Sequence, residues 1–181
     1  MHQGKYTEDL LKKFDMGEAK PLSTPMSTTM ALDADEEGEA MDQKEYRSMI
    51  GSLLYLTAMR PDIQFTVCLC TCFQSSPRTS HRQAIKQILR YLCFTPEFGL
   101  WFLASSSLSL CGYSNADYAG CRIERKSTSR TCQFIGSSLV SWSSRKQSSV
   151  ARSTTKAKYV AAAACCSQLL WMIATLRDYG L

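Results

Sequence analysis

TCQFIGSSLVSW, residues 131–142, holds two short apolar runs, Thr131 to Ile135 and Leu139 to Trp142, separated by Gly136, Ser137 and Ser138. Aromatic and β-branched residues around a break of small residues predict a β-hairpin. Upstream, Leu100 to Leu103 and Leu108 to Tyr113 are further short apolar runs that read as strands. Downstream, Lys156 to Arg177 is rich in alanine and leucine and predicts one long helix.

Before Gly99 the pattern is helical. Tyr46, Ile50, Leu53, Leu54 and Leu56 fit one side of a helix from about Gln43 to Ala58. Pro61 suits the start of a second helix, Asp62 to Phe73, which is almost wholly apolar and is expected to be buried. Ser80 is placed to cap a third. There Ala84, Ile85, Ile88, Leu89 and Leu92 form one stripe, and Arg82, Lys86 and Arg90 another. Thr7 to Phe14 predicts a short amphipathic helix ending at Gly17, and residues 20–42 predict a linker with little regular structure. The expected fold class is α+β: helices, then three antiparallel strands, then a helix.

The 181 residues suit one domain or two small ones, with 45% apolar and 20% charged residues, a balance that argues against wholesale disorder. The net charge of +5 is unevenly spread. Between Ala31 and Glu45, seven acids face Lys44 alone, whereas Arg122 to Lys158 holds nine Lys or Arg and only Glu124 as an acid. The basic stretch suits phosphate binding or a solvated face about equally. The nine cysteines are odd in number, follow a polar N-terminus and form no paired CxxC motifs, and His2 and His81 lack ligand-like spacing. Buried reduced thiols in an intracellular chain are expected, with His81 as a surface residue at a helix start. No apolar stretch reaches the roughly 20 residues of a membrane span, so no membrane partner is expected.

The strings EYRSMIGSLLYLTAMRPDIQFTVCLC (45–70) and AIKQILRYLCFTPEFGLWF (84–102) resemble the segment after the polymerase core of copia-type retrotransposon reverse transcriptases. KYTEDLLKKFDM (5–16) with TPM (24–26) resembles the approach to it. GYSNADYAGC (112–121), RKSTSRTCQFIGSSLVSWSSRKQ (125–147) and STTKAKYVAAAACCSQLLWM (153–172) resemble the ribonuclease H region of the same Pol polyproteins. The resemblance covers nearly the whole chain in the family's order. It implies three parts: residues 1–42, a reverse-transcriptase-derived helix and acidic linker; 43–99, a helical connection segment; and 100–181, a partial ribonuclease H-like domain. It also implies a truncated piece, because the polymerase aspartate pair belongs upstream.

Ribonuclease H cuts the RNA strand of an RNA–DNA hybrid with two magnesium ions, which need clustered carboxylate oxygens. By resemblance, the first carboxylate belongs at Asn115 and the second at Lys158, and a third on a strand after Leu181. An ammonium cannot ligate magnesium; at an effective ε of about 20, unlike-for-like replacement puts about 4 kcal/mol of repulsion on each unit-charge pair 4 Å apart. No metal cofactor is therefore expected, although the family would use magnesium. Asp117, two residues along the strand from Asn115, is the one candidate for a residual catalytic role, against a commoner reading as a turn aspartate. Lys156 also stands where the family has glutamate. With Ser153 as N-cap it occupies the third helical position, where it forfeits a capping box and adds charge at the positive end of the helix.

The expected partner is an RNA–DNA hybrid or other nucleic acid, weakly bound. Arg122, Arg125, Lys126, Arg145 and Lys146 are placed to meet phosphates, and Ser127, Thr128 and Ser129 to donate hydrogen bonds to them. Arg130 replaces a family glycine and would be strained if that position required positive φ. Trp142 and Tyr159 suit core positions better than base stacking. The expected function is a catalytically dead Pol fragment with weak nucleic-acid affinity. The alternatives are a residual ribonuclease H working through Asp117, or a helical module that packs on the missing reverse transcriptase core.

Overall fold

The computed structural model describes residues 1–27, 32–103, 108–121 and 123–180. The chain divides into two compact units, Met1–Leu100 and Trp101–Leu181. Mixed helix and sheet is the fold class: five α-helices and a three-stranded antiparallel sheet among the described residues.

The first unit is helical: α1 (Gly4–Lys13), α2 (Gln43–Leu56), a 3-10 turn (Pro61–Ile63), α3 (Gln64–Thr71) and α4 (Thr79–Phe94). The Asp42 side chain accepts the Lys44 and Glu45 N–H groups and starts α2. Tyr46, Met49, Ile50, Leu53 and Leu56 then recur at helical spacing and are buried, while Leu54 points out, against expectation. They pack with Leu10 and Leu11 of α1, Val67 and Cys70 of α3, and Ile85, Ile88, Leu89 and Leu92 of α4 in one core. Burial pushes the Cys70 thiol up to about 12.

The second helix differs from expectation by beginning as a 3-10 turn, and α4 starts at Thr79, not after a Ser80 cap. The Ser80 hydroxyl instead donates to Asp35 Oδ2 at 2.5 Å. His81 is 1% exposed, not a surface residue. Its Nδ1 accepts the Arg78 N–H at 3.0 Å, which assigns the proton to Nε2, 2.8 Å from the Asp33 carbonyl. Further bonds run from Thr79 N to the Glu39 carbonyl, from Met41 N to that of Pro77, and from Arg78 Nη1 to that of Gly38. The acidic stretch thus lacks helix or extended strand among its described residues, yet its backbone is tied to the start of α4.

Arg60 is buried and clamps the far end of α4. Its Nε and Nη2 donate to Asp62, and its Nη1 donates to the Thr95 carbonyl at 2.8 Å. Burial alone would raise the Asp62 pKa. The Arg60 hydrogen bonds and charge outweigh it, helped by the Tyr91 hydroxyl, and hold the carboxyl below its usual value.

The second unit consists of β1 (Leu110–Ala116), β2 (Thr128–Ile135), β3 (Ser138–Lys146) and α5 (Thr154–Asp178). The strands run in the order β1-β2-β3, all antiparallel. The expected hairpin is present, with Ile135 opposite Ser138 and Gly136 at φ 57°, where glycine is unstrained. Leu100 to Leu103 form no strand, and β1 begins and ends later than the apolar run suggested.

Helix α5 packs over β1 and β2 at close range. A Cβ on Gly112 would sit 2.7 Å from Leu169 Cδ1 and 2.8 Å from Cys165 Sγ, so any larger residue there would make those side chains move. The apolar cluster beneath its first turns is built of alanines: Ala116, Ala151, Ala157 and Ala161. Polar groups knit the rest. Gln147 Nε2 donates to both Ser129 Oγ and the Ala157 carbonyl at 2.9 Å, joining the sheet to α5.

The expectation that no stretch is long and apolar enough for a membrane is corrected. An 18-residue window of α5 has mean hydropathy 1.6, enough by length and composition alone, and 17% of that window is buried. Residues 159–176 carry no charge; Ser167 and Gln168, which interrupt the apolar letters, do not lower the mean below that of a spanning helix.

Candidate functional site

Two extended features converge at the start of α5. Asn115 lies next to the end of β1, opposite Arg130 of β2. Ser153 caps α5 by accepting the Lys156 N–H at 3.1 Å, as its spacing predicted. That cap sets the rotation of the first turns, with Ala157 and Ala161 buried toward the sheet. The first two turns of the helix then bring Thr155, Lys158, Tyr159 and Ala162 near Ser114 and Asn115, around an open pocket of about 410 Å³. Asn115 and Lys158, singled out 43 positions apart in sequence, therefore line the same pocket.

The lining has no carboxylate. Asn115 Oδ1 accepts the Ala116 N–H at 2.9 Å, and the amide carries no negative charge to offer a cation. The first turn of α5 has no acidic residue. Asp117 does not line the pocket; its Oδ1 accepts the Thr128 N–H, and its carboxylate fills the space beside Gly120. Asp117 acts as a turn residue that holds the β1 exit against the β2 entry. Among the described residues, no three His, Cys, Asp or Glu side chains are grouped to hold a metal ion.

The basic stretch behaves differently from its sequence reading. Ser127, Thr128 and Ser129 are buried. The Ser127 hydroxyl accepts the Ala119 N–H and the Ser129 hydroxyl accepts the Gln147 amide N–H, so both tie the sheet to its neighbours. Lys126 and Lys146 each reach Glu124 at 2.6 Å. Their hydrogen bonds, Lys126 first, pull the Glu124 carboxyl down to about 2. Arg125 and Arg145 are exposed, and Arg122 lies outside the described residues. Arg130 does not have positive φ; it is a regular β2 residue, so the expected strain is absent, and Arg125 at φ 54° is the arginine in the left-handed region. Tyr159 is 73% exposed and no core residue.

The nine cysteines are free, but not uniformly buried: Cys111 and Cys166 are exposed. Sequence reading also missed Gln147 and Gly112. Their roles depend on partners far along the chain, and no local pattern signals them.

The geometry can be set beside known proteins. The chain is 38% identical over its full length to the retrovirus-related Pol polyprotein from transposon RE2 of Arabidopsis thaliana, and 37% identical to that from transposon TNT 1-94 of Nicotiana tabacum. It spans 12% and 14% of the lengths of these two relatives. An uncharacterized mitochondrial protein of Arabidopsis thaliana is 33% identical over 97% of this chain and 72% of its own length. No family model matches the chain, and no solved structure matches it significantly. The chain belongs to the transposon family of retrovirus-related Pol polyproteins.

Proposed function

We propose that this Pol-family chain is a catalytically inactive segment of a copia-type polyprotein, in which the end of a reverse transcriptase region leads into a ribonuclease H-like module. The first unit corresponds to the reverse-transcriptase-terminal helices, and β1, β2, β3 and α5 to the opening strands and first helix of the nuclease. The observation that carries this reading is the shared pocket of Asn115 and Lys158. The two positions where the family resemblance expects carboxylates converge in space, and they hold an amide and an ammonium. A pair of divalent ions finds no carboxylate there.

Nucleic acid binding in this reading is weak and independent of sequence, resting on Arg125 and Arg145, because Lys126 and Lys146 are engaged by Glu124. The residual-nuclease alternative is less favoured, because Asp117 is not among the residues that line the pocket of Asn115 and Lys158. The interaction-module alternative draws support from Leu54 and Tyr55, large apolar side chains exposed on the outside of α2. Incubation of the purified chain with a labelled RNA–DNA hybrid and magnesium tests the main reading. No cleavage above a no-protein control is expected. Magnesium-dependent cleavage that disappears in Asp117→Ala would overturn it. Specific co-purification with a reverse transcriptase core would favour the interaction module.

A further inference from the structure

Helix α5 is apolar on all sides and covered on one. Its buried residues are Ala157, Ala161, Cys165 and Met172, and their spacing marks a single flank turned to the sheet. The opposite flank carries Val160, Ala163, Ser167, Leu170, Trp171 and Ala174, with Leu170 67% and Trp171 62% exposed. No charged residue lies between Lys158 and Arg177, so the uncharged flank runs for about 27 Å along the axis. A solvated helix face is ordinarily polar, and an apolar one of this length needs a covering.

The surrounding charge says what covers it. Arg152, Lys156 and Lys158 are exposed at the N-terminal end of the helix, and its first turn holds no acid. Arg145 is exposed on the same side of the sheet: it pairs with Ser129, which pairs with Ala116, and Ala116 packs with Ala157 and Ala161. Tyr159 and Tyr179, 73% and 78% exposed, stand at the two ends of the uncharged stretch, where a ring with a polar tip suits a boundary between water and an apolar phase. A second copy packed through the same flank would offer Asp178 as the one acid of its α5 for these cations. An uncharged ridge with a cationic rim is complementary to a surface that is anionic outside and apolar beneath.

We propose that the outer flank of α5 docks on the surface of an anionic phospholipid bilayer. The helix lies along the membrane with Leu170 and Trp171 at the boundary of headgroups and acyl chains, and with Arg145, Arg152 and Lys156 among the phosphates. Strands β1 and β2 keep the inner flank, so α5 rests on the bilayer and does not cross it, although its hydropathy would permit a span. The inference needs neither the pocket of Asn115 and Lys158 nor a nucleic acid.

The test is co-sedimentation of the full chain with vesicles of phosphatidylcholine, alone or mixed with phosphatidylserine, read together with tryptophan emission. Binding to the mixed vesicles is expected, weakened by high salt, with a blue shift of emission that Trp171→Phe removes. Leu170→Glu should lower the affinity roughly tenfold or more, because it withdraws a leucine from the apolar boundary. Lys156→Glu should lower it about fivefold or more by reversing a charge at the rim. Both positions are exposed, and Lys156→Glu completes the helix cap, so its loss of binding is not a loss of fold. Four results would overturn the proposal: no binding to the mixed vesicles, equal binding to phosphatidylcholine alone, binding that either variant leaves unchanged, or self-association without vesicles that Leu170→Glu abolishes. The last would give the flank to a second copy of the chain.

Discussion

The two units solve the problem of burial in opposite ways. The helical unit fills its interior with large side chains from α1, α2, α3 and α4, and satisfies its one deeply buried arginine with Asp62 and Thr95. The sheet unit packs the start of α5 on a small cluster of alanines, and leaves Leu170, Trp171 and Tyr159 of the same helix exposed. Removing volume should therefore injure the first unit, and adding volume the second. The pocket sits in the unit with the thinner core, where positions are fixed by caps and by Gln147 more than by apolar mass.

The contrast can be broken at its strongest point. Leu53→Ala empties a fully buried site and should cost about 2–5 kcal/mol in urea denaturation, whereas Leu170→Ala, on the exposed face, should cost almost nothing. Equal costs would end the comparison. Ala161→Leu should destabilise the sheet unit by about 1–3 kcal/mol, because the helix must lift from β1. Its signature is loss of near-UV signal from the second unit with the first unit's helices intact.

Acid sharpens the contrast less strongly. The Asp62 pKa is depressed in the folded chain, so its contribution is full above the ordinary carboxylate range and is lost as pH falls through the lower folded value. Acid titration of Asp62→Asn should therefore show a flatter loss of stability than the wild type in that window. The smallest effect concerns α5. Lys156→Glu completes the capping box begun by Ser153 and reverses an unfavourable charge at the helix start, for a gain of about 0.3–1 kcal/mol in thermal denaturation. Thiol labelling distinguishes the units without mutation: Cys111 and Cys166 should react first, and Cys70 last, with its buried thiol pushed up to about 12.

Much of the frame was legible in the sequence. Tyr46, Ile50 and Leu53 at helical spacing declare α2, and Gly136–Ser137 between two apolar runs declares the hairpin, because both depend on residues near one another. The partners of Asn115 and Lys158 were legible only through resemblance to other sequences. What failed was burial. Ser127, Thr128 and Ser129 read as donors to a ligand, yet they are buried, with the Ser127 and Ser129 hydroxyls bonded to Ala119 and Gln147. Tyr159 read as core, and helical spacing alone cannot say which flank of α5 meets the sheet. His81 read as surface because the carbonyl of Asp33, its partner, lies 48 positions away.

The tethering of residues 33–41 to the start of α4 has a consequence for cleavage. A peptide bond cut in that acidic stretch would not set the halves free, since carbonyls of Asp33, Gly38 and Glu39 still hold the helix start and α1 still lies in the shared core. The nicked chain should elute as a single species in native buffer and separate into two fragments only in denaturant.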